Sequence, residues 1–191
     1  MIQLSEIFYS IQGEGTWTGT PAVFVRLAGC NLACDFCDTD YALKELLSVD
    51  DIVRRVRDAG GACPMVVLTG GEPLAQTESS DLIEALRRDG RRVHIESNGT
   101  ILTPLPEDVW LCVSPKERVD PRMAARANEA KLIVDERVPE EHVALFERLD
   151  TILLQPEGNK PNNIAIALEY AQTHPQRFRL SLQTHKFIGV P

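Results

Sequence analysis

The chain reads as an α/β domain built on parallel strands, and three observations predict it. Short β-branched and aliphatic runs alternate with amphipathic helical stretches, the pattern of a parallel sheet whose strands are joined by crossover helices. Several runs are almost continuously apolar, as strands covered on both faces are. The unusual polar clusters fall just after these runs, at the sheet edge where barrels and open parallel sheets hold ligands. The strand count falls short of a complete eight-fold barrel. An open, partial (β/α) barrel with its active site at the C-terminal strand ends is therefore expected, in a single domain over residues 1–191.

The elements follow in order. Strands are expected at 23–27, 65–69, 93–97, 109–114, 131–134, 151–155 and 178–183. Ser48 is placed to cap a first helix, with Val49, Ile52, Val53 and Val56 on one face. A second, near 79–89, aligns Leu82, Ile83 and Leu86 and stops at Gly90. Pro139 opens a third, with Val143, Phe146 and Leu149 in a stripe, and Pro161 a fourth, with Ile164, Ala167, Leu168 and Ala171. Proline is well suited to the first helical turn, where its missing N–H costs nothing. No internal repeat, low-complexity tract or linker divides the chain.

Composition narrows the partners. With 20 Lys plus Arg against 28 Asp plus Glu, the net charge of −8 argues against a broad phosphate-binding surface, so no nucleic acid is expected. No apolar run approaches membrane-spanning length, so no membrane partner is expected either. Five cysteines, an odd number without a secretory signal, argue against a disulfide framework and for reduced thiols in the cytoplasm. Cys63 and Cys112 lie in or beside apolar runs and read as small core residues.

The other three cysteines fall within eight residues, as Cys30, Cys34 and Cys37, with Phe36 directly before the last and no fourth cysteine nearby. A closed structural metal site normally takes four protein ligands. Three thiolates suit a zinc site completed from afar, a reactive thiol cluster, or an iron–sulfur cubane with one iron left open. The three-then-two spacing resembles that of the radical S-adenosylmethionine (SAM) enzymes. In that superfamily the open iron chelates SAM and electron transfer releases a 5′-deoxyadenosyl radical. Gly70-Gly71-Glu72-Pro73, after the second expected strand, matches the superfamily's second signature. Paired glycines there allow close backbone approach, and Pro73 stiffens the exit.

A narrower resemblance extends over nearly the whole chain. Gln12-Gly13-Glu14-Gly15, Val25-Arg26-Leu27-Ala28-Gly29-Cys30, Ser114-Pro115-Lys116 and the terminal Gln183-Thr184-His185-Lys186 together resemble the 7-carboxy-7-deazaguanine synthase family. The resemblance implies a radical SAM lyase that converts 6-carboxy-5,6,7,8-tetrahydropterin to 7-carboxy-7-deazaguanine, with ring contraction and release of ammonia, in queuosine biosynthesis. It implies a [4Fe-4S] cluster on Cys30, Cys34 and Cys37, and Mg²⁺ on the hydroxyl of Thr39. SAM would lie along Phe36, Cys37, Asp38 and Gly71, then Ser114, Pro115 and Lys116, then Gln155, Pro156, Glu157 and Gly158. The pterin would meet Ile11, Gln12, Gly13, Arg26, Thr69 and the carboxylate of Pro191. A guanidinium fork at Arg26 suits a substrate carboxylate better than an ammonium does. The partners implied are an external electron donor such as flavodoxin or ferredoxin and a second copy of the chain.

A glycyl-radical-activating enzyme acting on a protein partner shares the cysteine loop and the Gly-Gly-Glu-Pro turn. Gln12 to Gly15, Arg26, Thr39 and the terminal Pro191 favour the small-molecule route. Glu96, Asn98, Lys116, His185 and Lys186 could do polar work in the pocket, though each alone reads more readily as a strand-end or solvated group; His94 reads as a hydrogen-bonded core histidine, and Trp17 and Trp110 as packing residues.

Overall fold

The computed structural model describes residues 1–191. In chain order the elements are β1 (Ile2–Ile11), β2 (Pro21–Leu27), β3 (Glu45–Leu47), α1 (Val49–Gly60), β4 (Met65–Gly70), α2 (Ser79–Arg88), β5 (Arg92–Ser97) and β6 (Trp110–Val113). They continue as α3 (Pro121–Arg126), β7 (Glu129–Val134), β8 (Ile152–Pro156), α4 (Pro161–Thr173), β9 (Phe178–Leu180) and α5 (Thr184–Ile188). The nine strands form one open sheet in the order β3-β1-β2-β4-β5-β6-β7-β8-β9.

All seven expected strands form, as β2 and β4 to β9, and each pairs in parallel with the next. The apolar runs are continuous because both faces are covered. On β4, Val66 and Leu68 join the main core beneath the helices, while Met65 and Val67 pack inside the curve with Ala22, Trp17 and Phe24. The expected partial barrel is thus present, with one departure. The sheet is mixed, because β1 runs antiparallel to β2 and β3 antiparallel to β1. β1 has no crossover helix, and its inward Ile2 and Leu4 alternate with exposed Gln3, the period of an antiparallel strand.

Ser48 caps α1, its hydroxyl accepting from the Asp51 N–H at 3.1 Å, and α1 buries Ile52, Val53 and Val56 as expected. Ser48→Ala would cost about 1 kcal/mol. The third expected helix is corrected: Glu140–Phe146 forms tight 3-10 turns, though Phe146 is still buried. The last strand is shorter than expected, ending at Leu180. Two short helices appear that the apolar pattern did not signal. α3 is capped by the Asp120 carboxylate on the Arg122 N–H, and α5 follows β9. No helix is long and apolar enough to cross a membrane.

One segment spans the open side of the sheet. After β1 the chain passes from the first strands to the last. The Gly13 carbonyl accepts from the Thr184 N–H and hydroxyl, both at 2.9 Å. The Gly15 N–H donates to Ser181 Oγ at 3.0 Å, and the Thr16 N–H to Glu129 Oε2 at 2.9 Å. Gly15 has φ +69°, and a Cβ there would strike the Glu129 carboxylate, so both shape and space require glycine.

Candidate active site

A cavity of about 370 Å³ opens at the C-terminal ends of the parallel strands. It takes residues from the ends of β1, β2, β4, β5, β7 and β8, from the cysteine loop and from the carboxy-terminal segment. Of the expected site residues, Ile11, Gln12, Gly13, Arg26, Thr69 and Pro191 line it, as do Cys30, Cys34, Phe36, Cys37, Asp38 and Thr39. Gly71, Ser114, Lys116, Gln155, Pro156, Glu157 and Gly158 complete the set. Pro115 is the exception. It is buried and does not line the cavity, because on the strand continuation its neighbours Ser114 and Lys116 take the inward face.

The cysteine loop is held from behind. The Gly29 carbonyl accepts from the Glu72 N–H at 3.1 Å. A Cβ at Gly71 would run into that carbonyl and into Cβ of Cys30. The Asn98 side chain donates to Asn31 Oδ1 at 3.0 Å, and Asn31 donates to Thr100 Oγ1 at 2.8 Å. Asn98, read from sequence as an ordinary strand-end group, therefore fixes the loop. Glu72 was not singled out at all, yet it is fully buried. Its carboxylate accepts from the Leu74 N–H, Ser97 Oγ and the Asn98 N–H at 3.0, 3.0 and 2.7 Å. Burial raises its pKa, while those donors and Lys116 oppose the rise. The Gly-Gly-Glu-Pro turn is thus bolted to the end of β5.

Cys30, Cys34 and Cys37 are all free thiols, two half-buried and one exposed, on one wall of the cavity. Three thiols without a fourth, beside space for a small molecule, suit a cubane with one open iron. Thr39 stands between Asp38 and Asp40, and all three line the cavity. A hydroxyl among carboxylates is the oxygen donor set that Mg²⁺ takes.

The floor carries charge centred on Lys131, a residue that the sequence pattern assigns only to a strand. Lys131, in the middle of apolar β7, is only 4% exposed. Its ammonium donates to Glu14 and, at 3.1 Å, to Glu96. Gln183 Nε2 donates to Glu14 Oε1 at 3.0 Å, and Gln12 Nε2 to Glu96 Oε1 at 3.4 Å. Burial alone would raise the pKa of Glu14, but Lys131 overcomes it and holds the carboxyl at about 2. Burial likewise opposes the charge on Lys131, and the two carboxylates raise its pKa well above the usual value. Lys131 thus ties the Glu14 and Glu96 carboxylates together at the floor. The signal available in the sequence was a lysine inside an apolar strand, a residue almost never buried unless paired.

Lys116 sits higher in the cavity, 2.7 Å from Ser114 Oγ and over the Phe36 ring at 5.9 Å. Burial and the charge of Lys131 depress its pKa to about 8. At the other wall, Arg26 gives its Nε to Glu6 Oε1 at 2.7 Å and lies over Phe8, which stacks on Phe24. Its two terminal nitrogens keep no protein acceptor. The carboxy-terminus is docked, with Ser10 Oγ donating to a terminal oxygen of Pro191 at 2.8 Å. Lys186 pairs with Asp38, tying α5 to the cysteine loop.

One core reading changes and another holds. His94 is 1% exposed, but neither ring nitrogen has a hydrogen-bond partner, so it is not a satisfied core histidine. Trp17 and Trp110 do pack, edge to face at 5.3 Å, yet both indole N–H groups are also buried without acceptors. Each such group costs about 1–3 kcal/mol.

Residues 24–120 match the radical SAM superfamily. The chain is 41% identical to the 7-carboxy-7-deazaguanine synthase of Bacteroides thetaiotaomicron, covering all of this chain and 99% of that protein. It is 36% identical to the synthase of Burkholderia multivorans over 98% of each. Among solved structures it resembles the crystal structure of QueE from Escherichia coli, with a TM-score of 0.82, 30% identity, and coverage of 96% of this chain and 94% of that one. Cysteine loop, Gly-Gly-Glu-Pro turn, strand-end cavity and full-length similarity agree, and the chain belongs to the 7-carboxy-7-deazaguanine synthase family of the radical SAM superfamily.

Proposed function

We propose that this chain converts 6-carboxy-5,6,7,8-tetrahydropterin to 7-carboxy-7-deazaguanine, with ring contraction and release of ammonia. The observation that carries the reading is the meeting, in one cavity, of three free loop thiols, a buried ionised floor and the chain's own terminal carboxylate. Cys30, Cys34 and Cys37 hold a [4Fe-4S] cluster. SAM lies along Phe36, Cys37, Asp38, Gly71, Ser114, Lys116 and the 155–158 turn, with Pro115 shaping its strand end from behind. With its cluster reduced, bound SAM supplies a 5′-deoxyadenosyl radical, the hydrogen-abstracting agent of the superfamily.

The chain's residues then have separable tasks. Arg26, its Nε already held by Glu6, turns two free N–H groups toward the substrate carboxylate. Ile11, Gln12, Gly13 and Thr69 line the walls of the pterin pocket, and the terminal carboxylate of Pro191 closes it. Glu14 and Glu96, both bonded to Lys131, offer acceptors at the floor to a ring edge rich in N–H groups. The hydroxyl of Thr39 would hold Mg²⁺, which would supply a hard cation for substrate oxygens. These anchors leave the pterin one orientation, which is how positioning lowers a barrier.

The same reading places the reaction in the cytoplasm, with an external one-electron donor of the flavodoxin or ferredoxin type. It also pairs two copies of the chain, and the half-exposed Leu46 on edge strand β3, with Leu43 just before it, supports such a contact. The test of function is direct. Reduced, cluster-reconstituted protein with SAM, Mg²⁺ and the carboxypterin should yield the deazapurine and ammonia, and Cys30→Ala should yield neither. Intact SAM cleavage with no deazapurine would overturn the substrate.

A further inference from the structure

Below the cavity floor, Glu96 borders two buried side chains that the proposed reaction leaves idle. His94 and Glu96 are two residues apart on β5 and so face the same side of the sheet. Cys112, on β6, stands directly opposite Glu96 in the parallel register. One potential ligand atom from each, a ring nitrogen, a carboxylate oxygen and a thiol sulfur, falls within 4.8 Å of the others. His94 and Cys112 are 1% and 0% exposed, and both ring nitrogens of His94 are without partners. We infer that His94, Glu96 and Cys112 form a buried site for a divalent transition-metal ion of the zinc class, separate from the cysteine loop.

The donor chemistry selects the ion. Nitrogen, oxygen and sulfur in one shell suit a borderline-soft cation, whereas magnesium and calcium take oxygen alone. One edge of the site is already at ligand spacing. His94 Nε2 and Glu96 Oε1 are 3.5 Å apart, close to the edge of a tetrahedron built on bonds of about 2.0–2.1 Å. The carboxylate is also braced as a ligand should be. Its Oε2 accepts from Lys131 at 3.1 Å, and Gln12 touches Oε1 from the cavity side at 3.4 Å. Such outer contacts orient a ligating group.

The charges balance. Carboxylate and thiolate together match a dication, and binding releases the Cys112 thiol proton to solvent. Glu129, opposite Cys112 on β7, carries a buried carboxylate oxygen without a partner. Glu96 also lines the cavity, so an ion has a route in. Once bound, it clamps β5 to β6 and immobilises Glu96, and through Glu96 the ionised floor.

Two measurements test the site without relying on turnover. In the full-length chain carrying Cys30→Ala, Cys34→Ala and Cys37→Ala, cobalt(II) should bind at one equivalent. The expected spectrum is a thiolate-to-metal charge-transfer band with the intense visible bands of a tetrahedral ion. Adding Cys112→Ser should abolish the charge-transfer band, and adding Cys63→Ser should leave it. In the cluster-loaded wild type, equilibration with zinc and desalting should leave one zinc beside the cluster iron and raise the melting temperature. His94→Gln should weaken that zinc by more than the roughly 10- to 100-fold that losing an outer contact costs. No zinc retained by the cluster-loaded wild type, or a cobalt band that survives Cys112→Ser, would overturn the assignment. If the triple-alanine chain fails to fold, zinc content of the loaded protein and its His94→Gln variant decides the question alone.

Discussion

Lys131 and Glu14, 117 residues apart in sequence, meet as a buried ion pair that joins the middle of β7 to the loop after β1. The same ammonium bonds Glu96 on β5. One cation therefore ties three segments of the cavity floor together and keeps the Glu14 carboxylate charged away from water. Lys131→Met should leave both carboxylates uncompensated and cost about 3–5 kcal/mol, the usual result of breaking a buried pair from one side. Urea denaturation at neutral pH checks this, and a loss under 1 kcal/mol would mean that the pair is solvated.

The same pair sets an acid limit. The carboxyl of Glu14 lies at about 2 in the folded chain against an ordinary 4.5, so its folded pKa is depressed. Its contribution is then fully present above about 4.5 and is lost as pH falls toward 2. Glu14→Gln should be less stable than wild type at neutral pH, and the gap should narrow across that window. A gap that stays constant from pH 6 to pH 3 would show that the Glu14 charge plays no part.

Arg26 and Glu6 stand opposite each other in the β1–β2 register, and Glu6 uses only the guanidinium Nε. Arg26→Lys should lower kcat/KM for the pterin about 10- to 100-fold, the loss of a charge-assisted hydrogen bond of about 1.5–3 kcal/mol. SAM affinity should hold. Glu6→Gln should have a smaller effect in the same direction, since it loosens the fork without removing it. An equal loss of SAM affinity in Arg26→Lys would place the residue at the cofactor instead.

Gly71 leaves no room for a methyl group between the Gly29 carbonyl and Cys30. Gly71→Ala should displace the cysteine loop, and iron retained after reconstitution should fall severalfold while the far-ultraviolet circular dichroism stays native. Glu72→Ala should act similarly from behind, because it strands three buried donors at about 1–3 kcal/mol each. Full iron content in both would separate the Gly-Gly-Glu-Pro turn from the loop.

The parallel strands and most of the cavity lining were legible because each depends on local pattern. Apolar runs mark β2 and β4 to β9, and the motif residues sit at their ends wherever the fold places those ends. The floor was not legible in the same way. Glu14, Lys131 and Gln183 meet only through the crossing of the β1–β2 segment to the far strands, a tertiary event with no local signature beyond a lysine among aliphatics. His94 shows the converse failure. Its place in a strand signals burial but not whether its nitrogens find partners. The Glu140–Phe146 turns carry the apolar stripe of a helix, so pattern alone places Phe146 in the core without deciding the backbone.

The docked carboxy-terminus gives the last test. Ser10 Oγ holds a terminal oxygen of Pro191 at 2.8 Å, at the edge of the cavity. A carboxylate can occupy that position only if the chain ends there. Adding residues beyond Pro191 turns it into a neutral peptide and displaces the charge, so an extension should act like a deletion. Both should raise KM for the pterin about tenfold or more, in line with about 1.5–3 kcal/mol for a hydrogen bond to a charged group. Ser10→Ala should give a smaller rise, because the carboxylate remains but is less well held. None of the three should alter SAM cleavage in the absence of pterin. The comparison is a carboxy-terminal tag against an amino-terminal tag in one assay. Equal KM values in the two would make the tail a packing element and remove Pro191 from the substrate site.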